Sequence, residues 1–155
     1  METLVKHFIF VAVLALSGSL PSQAHDFSPE WENVVTADAG KLAIDRIPGS
    51  QGGFRYQMVL RGDLVRYLVQ DLAVVTSDML NDAGEIIFDL GQGYRNVVSR
   101  SATYVAVGGK KIGLELTGAD YRSDGCKLDV TLYPAPGGSA SQLLGTYNFM
   151  GCEYR

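Results

Sequence analysis

In Phe54-Arg55-Tyr56-Gln57-Met58-Val59-Leu60-Arg61 the large apolar residues Phe54, Tyr56, Met58 and Leu60 alternate with the polar Arg55, Gln57 and Arg61. That is strand spacing, because successive side chains in an extended chain point to opposite faces. Gly62-Asp63 follows and has the chemistry of a two-residue hairpin turn. With Arg61 opposite Leu64, Met58 faces Tyr67 and Tyr56 faces Val69, so one face is apolar on both strands. The reading over 54–71 is therefore a hairpin. The competing reading places Leu64, Leu68 and Leu72 on one face of a helix that starts at Asp63.

The same grammar extends outward. Towards the N-terminus, Ser28-Pro29-Glu30-Trp31-Glu32 has the cap, proline and acids of a short helix start, ending by Val34-Val35-Thr36. Gly40 to Ile47 reads as a strand closed by Pro48-Gly49. Beyond the first hairpin, Leu72–Leu80 and Glu85–Leu90 flank the turn cluster Asn81-Asp82-Ala83-Gly84 and are expected to pair. Tyr94–Val107 and Lys111–Leu116 flank Gly108-Gly109, a register that sets Tyr104 opposite the strand glycine Gly113.

Cys126–Tyr133 and Gly145–Gly151 then form a last hairpin around Pro134-Ala135-Pro136-Gly137-Gly138. The two cysteines of the chain, Cys126 and Cys152, stand at its open end and are expected to form a disulfide. Placing Cys126 opposite Cys152 sends Asn148 inward and Phe149 outward. One extra residue at Gly151 exchanges the faces, so the reading includes a bulge or kink at or beside Gly151, with Phe149 buried and Asn148 exposed. Together these hairpins predict an all-β, antiparallel two-sheet sandwich of about eight to ten strands, with a closed up-and-down barrel as the alternative.

The first residues set the expected compartment. Lys6 precedes an unbroken apolar run, Phe8–Leu16, and small residues end at Ser22-Gln23-Ala24. That pattern predicts a signal peptide over 1–24 and a single β-sandwich domain over 25–155. The apolar run is too short for a membrane span. The expected location is exported, either periplasmic or extracellular, where a disulfide persists.

Removing Glu2 and Lys6 takes one from each of 17 acids and 13 bases, so the net charge stays at −4. A mildly acidic chain without a basic run argues against nucleic acid as a partner.

Catalysis by a Ser-His-Asp or Cys-His arrangement needs a histidine base, and the segment after Ala24 holds His25 alone. His25 would head the mature chain, where its imidazole and the α-amine offer two ligands to copper. A histidine brace requires a second histidine, so His25 is a weak metal candidate and no cofactor is expected. A carboxylate pair drawn from Asp78, Asp89, Glu115, Asp120, Asp124 and Asp129 would suit a carbohydrate hydrolase. Tyr94, Tyr121 and Tyr133 fall near strand ends or in loops and, with Trp31, are the candidate partner-binding aromatics. The expected function is a non-catalytic binding module for a protein or glycan. The alternatives are a carboxylate-pair hydrolase and a periplasmic metal or ligand carrier.

Overall fold

The computed structural model describes residues 30–92, 100–118, 125–134 and 140–155. The segment read as a signal peptide, residues 1–24, and His25, Tyr94, Tyr121, Asp120 and Asp124 lie outside them. Nine strands are described: β1 (Glu32–Ala37), β2 (Leu42–Pro48), β3 (Phe54–Leu60), β4 (Ile86–Gln92), β5 (Arg100–Val105), β6 (Lys111–Thr117), β7 (Lys127–Tyr133), β8 (Gln142–Asn148) and β9 (Cys152–Tyr154). They form two open antiparallel sheets, β4-β3-β2-β1-β9 and β5-β6-β7-β8. The architecture is a two-sheet sandwich and not a closed barrel.

The strand parities are those of the sequence. Tyr56, Met58 and Leu60 of β3 face inward with Ile44 and Leu42 of β2. From the other sheet Ile112, Leu114, Leu116, Leu128 and Val130 meet them. At one margin the Phe88 ring of β4 stacks on Tyr104 of β5, with ring centroids 5.1 Å apart. Burial there pushes the Tyr104 hydroxyl pKa up.

The hairpin over 54–71 is not formed. Both edges of β3 are already occupied, by β2 and β4. The chain instead turns at Gly62 and enters a short helix, α1 (Asp63–Arg66), which continues as a wider π turn over Tyr67–Asp71. Helical period wins because Leu64 and Leu68, four residues apart, both reach the core with no exposure. Asp63 sits in the first turn and faces Lys41 and Arg66. Tyr67 then leans on Tyr147 of β8, with centroids 5.4 Å apart. On either side of Gly62, Arg61 faces Glu85 and Asp63 faces Lys41.

Three further expectations change. Glu32–Ala37 is strand β1 and not a short helix: it pairs with β2 on one side and β9 on the other. The segment 72–80 makes no strand and contains only a 3-10 turn at Ser77–Met79. The turn at Asn81 does form, with the Asn81 side chain accepting from the N–H groups of Ala83 and Glu85. Its following strand, β4, pairs with β3, whose outer edge is open to it. At the β5–β6 connection Val105 pairs with Lys111, so Tyr104 stands opposite Ile112 and Thr103 opposite Gly113. The loop is longer than two residues, because Gly108 and Gly109 both adopt positive φ inside a 3-10 turn.

The last hairpin, β7–β8, forms, but its bulge lies between Val130 and Thr131 and not at Gly151. Leu128 is opposite Tyr147, Phe149 is buried and Asn148 is exposed. After Asn148 the chain leaves this sheet, and β9 joins β1 in the other. The Cys126–Cys152 disulfide, with Cα atoms 6.0 Å apart, therefore ties the two sheets together and not the ends of one hairpin. Asp38 supports the crossover by accepting from the N–H groups of Met150 and Gly151.

Candidate functional site

The outward side chains of the five-stranded sheet form a polar row across four strands. Asn33 of β1 is opposite Asp45 of β2, Asp45 opposite Gln57 of β3, and Gln57 opposite Asp89 of β4. Strands about 4.8 Å apart make such a row about 14 Å wide. Its members are held by one another. Asn33 Nδ2 donates to Asp45 Oδ1 at 3.0 Å, and Gln57 Nε2 donates to Asp45 Oδ2 at 3.3 Å. The Thr36 hydroxyl donates to Asn33 Oδ1 at 2.6 Å. Arg55 faces Asp89 through both Nε and Nη2.

That arginine, with a hydrogen bond from the Gly91 N–H, holds the Asp89 carboxyl below its ordinary pKa. Asp89 consequently stays ionised at pH values where an unpaired aspartate begins to take up a proton.

Trp31 precedes β1 but borders β3 and β4. With Arg55, Gln57, Ile87 and Asp89 it lines a shallow depression of about 280 Å³. Trp31 is 40% exposed and Ile87 49%, so an apolar wall stands beside the paired polar groups. The site joins two residues singled out in the sequence, Trp31 as an aromatic and Asp89 among the carboxylates, to three that were not, Arg55, Gln57 and Ile87. Arg55, Gln57, Ile87 and Asp89 are the outward positions of their strands. Alternation gives that much, but it does not show that β4 pairs with β3.

Tyr133, the second described aromatic candidate, lies on the outer face of the four-stranded sheet, so the two rings make no common platform. Tyr94 and Tyr121 lie outside the described residues, as does the metal candidate His25. Cys126 and Cys152 are joined and cannot act as free thiols.

Of the carboxylates, Glu115 and Asp129 stand directly opposite each other on the outer face of β6 and β7. Asp129 accepts from the Thr146 hydroxyl at 2.7 Å and has Lys127 at 3.6 Å. Among the described residues no three histidine, cysteine or acidic side chains gather into a metal-binding group, and no helix is long and apolar enough to cross a membrane. No protein-family model, no curated protein and no solved structure matches the chain.

Proposed function

We propose that the protein is an exported, non-catalytic binding module that takes a glycan on the outer face of its five-stranded sheet. The observation that carries this reading is the exposed Trp31 bordering a row of hydrogen-bonding side chains already fixed by their neighbours. A pyranose ring presents apolar C–H faces and a hydroxyl rim. An indole covers the first, and paired amide, guanidinium and carboxylate groups answer the second. Side chains that are already ordered lose little rotamer freedom when a ligand arrives.

A protein partner fits this face less well. Interface centres are depleted in acidic side chains, and here Asp45 and Asp89 lie along the middle of the row. The leader pattern of residues 1–24 and the Cys126–Cys152 disulfide support an oxidising location, periplasmic or extracellular.

Calorimetric titration with a panel of neutral soluble polysaccharides tests the reading. Trp31→Ala is expected to weaken binding about tenfold or more, the range typical of a buried aromatic anchor. Tyr133→Ala, on the other sheet, is expected to leave neutral-glycan binding unchanged. Because the Asp89 pKa is lowered, its acceptor is present above that value and lost as pH falls through it. Affinity should thus stay level from neutral pH to about 4, near the ordinary aspartate pKa, and decline only below. Equal affinity of wild type and Trp31→Ala would remove the site.

A further inference from the structure

The opposite face of the sandwich carries a second, differently charged feature. Tyr133 of β7 is directly opposite Lys111 of β6, which is in turn opposite Val105 of β5. The Tyr133 ring lies over Gly113: a Cβ added there would come 2.4 Å from the ring's Cε2. Glycine at 113 is what lets the ring rest on the sheet, still 41% exposed. Between this ring, Pro134 and the Gly108-Gly109 turn is a depression of about 470 Å³, also bordered by Lys110 and Lys111. Lys111 Nζ is 5.8 Å from the ring centroid.

The two lysines are the unusual part. Each exposed described arginine faces a carboxylate, as do Lys41 and Lys127. Among the described residues Lys110 and Lys111 face none, and no acidic residue borders the depression. In a chain of net charge −4, two adjacent unpaired ammonium groups beside an exposed ring form a local site for an anion.

We propose that this depression binds an anionic saccharide unit, its ring stacked on Tyr133 and its carboxylate or sulfate held by Lys110 and Lys111. A saccharide is favoured over an acidic peptide because the aromatic contact is a single flat face backed by the sheet. The proposal uses none of the residues around Trp31 and stands or falls apart from that site.

The test is titration of the mature protein with polygalacturonate, a sulfated glycosaminoglycan and poly-glutamate, at about 0.05 M and about 0.5 M salt. Binding to one of the two polysaccharides is expected, weakening at high salt. The double variant Lys110→Gln/Lys111→Gln should lose about tenfold or more at low salt. Gly113→Ala should displace the ring and weaken binding several-fold while every charge remains, and Tyr133→Phe should keep it. Tyr133→Ala gives the same reading as Gly113→Ala if the alanine at 113 perturbs folding, which thermal melts reveal. The carboxylate and sulfate arms separate the two anion types. Poly-glutamate bound as tightly as either polysaccharide, no effect of losing the ring, or no binding at low salt would each overturn the proposal.

Discussion

Met58→Asp should leave little native protein at room temperature. Met58 has no exposure and lies between Ile44 and Phe88 on the inner face of the five-stranded sheet. A carboxylate there has no partner, and burying one costs several kcal/mol against a typical domain stability of about 5–15 kcal/mol. The neighbouring change Gln57→Asp turns outward. It sets a third acid between Asp45 and Asp89, so its cost should be about 1 kcal/mol or less. Urea unfolding followed by circular dichroism measures both. Losses of equal size at the two positions would mean that the inward and outward faces of β3 are not as assigned.

Removing the Cys126–Cys152 bond, by reduction or by Cys126→Ala/Cys152→Ala, should cost about 3–4 kcal/mol in the chain-entropy account of loop closure. The damage should be local first. β9 is a three-residue strand that, among the described residues, pairs only with β1, and Cys152 is its first residue. With the bond gone, the crossover keeps the burial of Phe149 and the two hydrogen bonds to Asp38. Amide exchange should therefore quicken in β9 and along the β1 edge it covers, while β6 and β7 at the centre of the other sheet stay protected. Uniform acceleration throughout both sheets would show that the bond holds the whole sandwich and not its last strand.

The faces of the strands were legible because alternation is a local property. Met58 and Leu60 of β3, Leu114 and Leu116 of β6, and Leu128 and Val130 of β7 all point inward as their spacing predicts. Pairing is not local, and there the sequence was ambiguous. Residues 64–72 carry two periods at once: Val65, Tyr67 and Val69 suit a strand, while Leu64, Leu68 and Leu72 suit a helix. What decides is that β4, more than twenty residues downstream of β3, occupies the edge the hairpin would have used.

Gly113 does carry an aromatic cover, but the ring is that of Tyr133 and not Tyr104. A single residue more in the Gly108-Gly109 turn moves Tyr104 opposite Ile112, and Tyr133 from the next strand supplies the ring. In the last hairpin, the inward Phe149 and outward Asn148 were correctly read, but for a different reason. The chain bends at Met150, beside Gly151, but it does so while leaving the sheet after Asn148 and not as a bulge within the hairpin. The same limit applies to the Trp31 site. Its tryptophan stood out in the sequence, but its polar partners became visible only once the strand order was known.

The central claim, a glycan site on the outer face of the five-stranded sheet, is tested most directly by amide and indole chemical-shift mapping during titration with a neutral polysaccharide fragment. The expected result is saturable movement of the Trp31 indole N–H together with Arg55, Gln57, Ile87 and Asp89, with β6 and β7 unmoved. Saturable shifts confined to the four-stranded sheet, with the Trp31 indole stationary, would contradict it.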